Sequence, residues 1–151
     1  MIMDNSLGYK GDILVVDDKI ENANLLFNIL SEFGYEVRQV LSGKQALKII
    51  KYDPPDLILL DIMMPEINGY EVCQQIKLEE KTKDIPIIFL SALQEINDQV
   101  KAFESGGVDY ITKPFEVEEV LIRVKNQFTI LKQNKQLKKS QKELELLNKE
   151  L

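Results

Sequence analysis

Leu57-Ile58-Leu59-Leu60-Asp61 carries aliphatic side chains at four consecutive positions and then a carboxylate. A strand turns successive side chains to opposite faces, so an unbroken apolar run has to be covered on both faces. That is the situation of a strand inside a parallel sheet with helices above and below. Ile13-Leu14-Val15-Val16, which ends on Asp17-Asp18, has the same form. So does Ile85 to Leu90, opened by Pro86 and ending on Ser91, and Val108 to Thr112 runs into Lys113. In Tyr35 to Val40 polar and charged residues interleave, which suits a strand nearer an edge.

The stretches between these strands have helical spacing. Ile20 to Phe33 sets Ala23, Leu26, Phe27 and Leu30 on one face and is stopped by Gly34. Ser42 is placed to cap a helix carrying Ala46, Leu47 and Ile50, which ends near Asp53-Pro54-Pro55. Asn68 to about Glu79 is a third helix, and Glu95 to Ser105 a fourth, closed by Gly106-Gly107. A last helix begins around Phe115. Strand and helix alternate five times, which predicts a doubly wound α/β fold with a parallel sheet and right-handed crossovers. Ligand sites in such folds lie at the carboxyl ends of the strands. Asp17, Asp18, Asp61, Ser91 and Lys113 therefore carry the chemical interest.

After about Gln127 the composition changes, with Gly and Pro absent and Lys, Gln, Glu, Leu and Asn dominant. Ile130, Leu137, Leu144 and Leu151 keep a seven-residue repeat, with Leu147 at a second seam position. This reads as an extended C-terminal helix entering a short coiled coil, diluted by Gln133 and Ser140. Val117, Val124 and Leu131 follow an earlier phase, as expected of a helix that first packs on its own sheet. The expected division is an N-terminal tail over 1–10, a globular domain over 11–127 and a helical extension or linker over 128–151.

Composition closes several routes. There are no histidines among the 151 residues, which removes histidine acid–base chemistry and histidine metal ligation. No Gly-rich nucleotide loop is present. Cys73, the only cysteine, cannot form an internal disulfide and reads as a buried thiol. Six lysines against three glutamates put 132–151 at +3; with −6 for the whole chain, the remainder stands at −9. An acidic globular part argues against nucleic-acid binding. No apolar run is long enough for a membrane span, and Met1 to Lys10 lacks the pattern of a signal peptide, so the expectation is a cytoplasmic protein without a membrane partner.

Were the strands ending in Asp17-Asp18 and Asp61 both central, three carboxylates would converge. Like charges at that distance repel unless a cation sits among them, and an oxygen-only ligand set favours a hard ion such as Mg²⁺. Each residue also has a plain structural reading. Asp17-Asp18 could cap the first helix, Asp61 could end a strand before Met63-Met64-Pro65, Ser91 could cap a helix, and Lys113 could be a solvated loop lysine. Taken together, a nucleophilic carboxylate, a metal, a cation and a hydroxyl donor are the parts of phosphoryl transfer to aspartate.

The strings Ile13-Leu14-Val15-Val16-Asp17-Asp18, Leu57 to Pro65, Asn68-Gly69, Ser91-Ala92 and Asp109 to Phe115 closely resemble the receiver domain of two-component response regulators. The match covers roughly Gly11 to Gln127 with all five motifs in order. The resemblance implies a (βα)5 flavodoxin-like sheet of order 2-1-3-4-5. It implies Asp61 as phosphoacceptor, supplied by a sensor histidine kinase or phosphotransfer protein. It implies Mg²⁺ held by Asp18, Asp61 and the Met63 main-chain carbonyl, with Asp17 acting through water. Lys113 would pair with the acyl phosphate, its bond to Pro114 would be cis, and Ser91 and Tyr110 would form a switch pair. Ser91 stands where threonine is commoner, Ile20 where proline often stands, and Val108 where a small or acidic residue is usual.

Two other readings compete. A receiver-like module that signals only by dimerising would be favoured were the acceptor, the lysine or the acidic pair missing, and all are present. A haloacid-dehalogenase-type phosphohydrolase needs a second aspartate two residues after the nucleophile, where this chain has Met63. The expectation is thus a switch rather than a turnover enzyme, working as a homodimer, with the unfinished heptad at Leu151 pointing to an output domain beyond it.

Overall fold

The computed structural model describes residues 11–92 and 96–150. The expected N-terminal tail, Glu95 and Leu151 lie outside the described residues. The elements alternate as β1 (Asp12–Val16), α1 (Ile20–Glu32), β2 (Glu36–Val40), α2 (Gly43–Tyr52), β3 (Leu57–Asp61), α3 (Gly69–Leu78), β4 (Ile87–Ser91), α4 (Ile96–Glu104), β5 (Asp109–Thr112) and α5 (Val117–Glu150). All strand pairs are parallel, in the order β2-β1-β3-β4-β5. This is the flavodoxin-like arrangement, with a long C-terminal helix appended.

The unbroken apolar strands are explained by the two cores. Ile13, Val15, Leu57, Leu59, Ile88, Leu90 and Ile111 point to one face, under Ala23, Leu26 and Leu30 of α1 and Val120 and Val124 of α5. Leu14, Val16, Ile58, Leu60, Ile87 and Phe89 point to the other, under α2, α3 and Ala102 of α4. Residues of both parities are therefore fully buried, each aliphatic side chain contributing about 1.5–3 kcal/mol. The polar strand β2 lies at the edge.

Some helix readings need correction. In α1 the buried positions are Ala23, Leu26, Ile29 and Leu30, and Phe27 is exposed at the rim of the face. In α5, Val117 in the first turn is exposed, and Val120, Val124 and Gln127 make the buried stripe. The N-cap of α1 is Lys19, without a side-chain cap, so neither Asp17 nor Asp18 caps it. Ser42 caps α2 by accepting from the Gln45 N–H, and Asn68 and Glu71 form a reciprocal capping box on α3. Cys73 is buried with Sγ 3.1 Å from the Ser105 carbonyl, and burial pushes its thiol up to about 11. Among the described residues no helix is long and apolar enough to cross a membrane.

Candidate functional site

Parallel register puts the strand ends side by side. Val16 pairs with Leu60, Asp61 with Leu90 and Ser91 with Thr112. Asp17 and Asp18 then leave β1, Asp61 ends β3, Ser91 ends β4 and Lys113 follows β5, all at the carboxyl edge of the sheet. The Lys113 N–H donates to the Ser91 carbonyl at 2.8 Å, extending the ladder by one residue beyond β5. The Lys113–Pro114 peptide is cis.

One oxygen from each of Asp17, Asp18 and Asp61 lies within 4.8 Å of the others. Lys113 Nζ reaches over them, 3.1 Å from Asp61 Oδ1 and 3.2 Å from Asp17 Oδ2. Asp17 is fully buried, and its Oδ1 accepts from the Lys19 N–H at 2.9 Å. Asp18 Oδ1 and Asp17 Oδ2 are both buried without a hydrogen-bond partner among the described residues, but the Asp17 oxygen has the Lys113 ammonium beside it.

The electrostatics follow from this crowding. Burial first, and the charge of Asp17 second, push the Asp61 carboxyl up to about 7, although Lys113 pulls the other way. For Lys113, burial alone would lower the pKa, but the attraction of Asp61 and Asp17 outweighs it and holds the ammonium above its ordinary value. One lysine against three carboxylates leaves a negative pocket with an orphaned buried oxygen. An all-oxygen donor set of this kind fits a hard divalent cation such as Mg²⁺.

Two supports of the site lie outside the strand-end pattern. Gly69 opens α3 directly against the end of β3, its N–H donating to the Ile62 carbonyl at 2.9 Å. A Cβ at Gly69 would stand 2.3 Å from the Asp61 main-chain oxygen, so only glycine lets α3 seat against the residue that carries the acid. The sequence pattern contained Asn68-Gly69 as a string but no signal for this contact. Around Tyr110, Phe103 of α4 meets the ring edge-on at 6.5 Å and the Arg123 guanidinium of α5 lies 6.0 Å from its centroid. Arg123 Nη1 donates to both carboxylate oxygens of Asp109 at 3.0 Å. Fourteen residues separate that pair, across a strand and a helix, and no local periodicity reports it.

The sequence profile of the response regulator receiver domain matches residues 13–125. The DNA-binding dual master transcriptional regulator RpaA of Synechocystis sp. is 39% identical over 136 residues, 90% of this chain and 55% of that protein. The ycf27 protein of Cyanophora paradoxa, a probable transcriptional regulator, is 43% identical over 117 residues, 78% of this chain and 48% of its own length. This chain thus spans about half the length of the curated relatives it matches. Among solved structures, the signal receiver domain of a signal transduction histidine kinase from Syntrophus aciditrophicus superposes with a TM-score of 0.73 at 36% identity, over 79% of this chain and 90% of that one. The buried acids, the lysine above them and the order of the sheet thus meet in one conclusion: this chain belongs to the response regulator receiver domain family of two-component signalling proteins.

Proposed function

We propose that the chain is a phosphorylation-dependent switch that accepts a phosphoryl group on Asp61 from a sensor histidine kinase or phosphotransfer protein. The observation that carries the reading is the convergence of Asp17, Asp18 and Asp61 beneath Lys113. In the transfer, an Asp61 carboxylate oxygen bonds to phosphorus as the donor's phosphorus–nitrogen bond breaks, and the electron pair leaves on the donor imidazole. Lys113 neutralises the charge carried by the phosphoryl oxygens, and the Ser91 hydroxyl donates to one of them. Asp18, Asp61 and the Met63 carbonyl would hold Mg²⁺ directly, with Asp17 through water. Bound there, the ion would supply positive charge to the transferring group.

Asp17 is ion-paired with Lys113 and accepts from the Lys19 N–H, whereas Asp18 Oδ1 is buried with neither. Mg²⁺ affinity should therefore fall further in Asp18→Asn than in Asp17→Asn, by about tenfold or more. A metal titration giving equal losses would reject the ranking.

The output surface is α4-β5-α5 together with the C-terminal helix. Drawing Ser91 toward a phosphoryl group vacates space for Tyr110, whose ring now rests between Phe103 and Arg123. Phosphate shifts the equilibrium only by interacting better with that second arrangement. Ser91→Ala should accept phosphate and yet lose most of the tyrosine spectral change that wild type shows on phosphorylation. Equal spectral changes in both would defeat the switch.

The receiver unit is taken as 11–127 and the extension as 128–151. Ile130, Leu137 and Leu144 stand exposed on the projecting helix, ready to pair in a parallel coiled-coil homodimer. The pair would deliver the signal, in the cytoplasm, to an output domain of the kind implied by RpaA, which is named as DNA-binding. Relay rather than turnover is the expected outcome, so the protein is not proposed as an enzyme.

A further inference from the structure

The switch site and the root of the projecting helix lie at opposite ends of the sheet. Asp61 ends β3 at the carboxyl edge, whereas the helix leaves the domain beside Gly11, Tyr35 and Asp56, which precede β1, β2 and β3. The seat at that root is small. The Phe128 ring stacks on Tyr35, with centroids 5.3 Å apart and planes at 23°. Its edge lies against Gly11, where a Cβ would stand 2.2 Å from the ring, at φ +143. Leu131 is half-buried, and every described residue after it is exposed. Beside the stack, between Phe33 and the helix, opens a cavity of about 680 Å³ that reaches Leu121 and Lys132.

We infer that the Phe128–Tyr35–Gly11 contact is the fulcrum of the C-terminal helix: it sets the direction in which the helix leaves the domain, and the cavity beside it gives the helix room to tilt. Three features support this. The ring is the last aromatic contact of the helix, and among the described residues beyond it only Leu131 is even half-buried. Its seat is shaped for it, since only glycine at position 11 leaves the ring space. The packing around it is incomplete, since the stacked rings of Phe128 and Tyr35 both border the open volume, so tilting separates few atoms. The gain is geometric. Residues 133–150 extend about 27 Å at 1.5 Å per residue, so a tilt of about 10° at Phe128 carries the far end roughly 5 Å. A displacement of that size could change the pairing of two such helices without breaking either.

The inference rests on the reading of the helix as the relay element, but its test needs no phosphoryl group. The full chain in a Cys73→Ala background would carry one spin label at Lys51→Cys on α2 and one at Lys142→Cys on α5. It would be diluted with unlabelled chain so that only distances within one molecule are read by double electron–electron resonance. The parent should give one narrow distance distribution. Phe128→Ala should broaden it or shift its centre by roughly 4 Å, the displacement that a tilt of about 10° produces about 21 Å along the helix from Phe128, and Phe128→Leu should do so to a smaller extent. Ile130→Ala, two residues on but outside the seat, should leave it as in the parent. Gly11→Ala tests the other half of the contact and should also broaden it. Unchanged distributions in folded Phe128 variants would overturn the fulcrum, as would equal broadening by Ile130→Ala. Phosphoryl acceptance by the same variants, read separately, should stay at the parent level. Its loss in the parent would count against Asp61 chemistry and leave the fulcrum result standing.

Discussion

Incubated with a small acyl or amido phosphate donor and Mg²⁺, the chain should gain one base-labile phosphoryl group, and Asp61→Asn should gain none. Three carboxylates share the site, and their surroundings distinguish them. Asp17 is fully buried, with Oδ1 used by the Lys19 N–H and Oδ2 beside Lys113. Asp18 is the freer acid, but its orphaned oxygen suits a cation better than it suits attack. Asp61 ends the central strand β3 and receives the Lys113 hydrogen bond directly. A phosphoryl group placed there would lie beside Lys113 and toward Ser91 on the neighbouring strand. The amide introduced by Asp61→Asn cannot act as the nucleophile, so stoichiometry should drop from one to zero, while Asp17→Asn and Asp18→Asn should slow acceptance without removing it. Acceptance by Asp61→Asn at the wild-type rate, measured by intact mass before and after base, would remove Asp61 from the role.

The strand ends were readable because parallel pairing is undemanding to infer. Once Leu57 to Leu60 and Ile13 to Val16 have to be covered on both faces, their terminal acids share one edge of the sheet whatever the helices do in detail. The helix faces were less legible. Phe27 and Ile29 both lie near the apolar stripe of α1, and spacing alone does not decide that Ile29 goes in and Phe27 stays exposed. Val117 fits a heptad on paper, yet it falls in the first turn of α5, before the helix reaches the sheet, and is exposed. Contacts between distant segments left no trace at all: Phe128 on Gly11, Arg123 on Asp109, and Gly69 against the Asp61 carbonyl depend on where whole elements cross. Periodicity reports the environment of a face and carries no information on which residue stands opposite.

In the absence of divalent cation, two substitutions across one ion pair should change stability in opposite directions. Asp61 is 3% exposed, and its carboxyl is pushed from 3.8 up to about 7, by burial first and Asp17 second. An acid whose folded pKa is raised favours the fold only while protonated. Its contribution is complete below about pH 4 and is lost as pH climbs toward 7. At pH 8 the ionised carboxylate should therefore cost the metal-free protein on the order of 4 kcal/mol, since each pH unit between the unfolded and folded pKa values is worth about 1.4 kcal/mol. Asp61→Asn keeps an acceptor for Lys113 and removes the charge. Its urea midpoint in chelator should match wild type near pH 4 and rise above it progressively to about pH 7. Lys113→Ala does the reverse. It leaves Asp17 and Asp61 buried without the ammonium 3.2 and 3.1 Å away, and should lose about 3 kcal/mol at pH 8. Saturating Mg²⁺ should narrow the gap between wild type and Asp61→Asn, since a cation bound only by the folded state stabilises wild type more than a site lacking one carboxylate. Equal midpoints for wild type and Asp61→Asn across that whole pH range would mean that the three acids are not in electrostatic conflict. The case for a cation among them would then rest on ligand geometry alone.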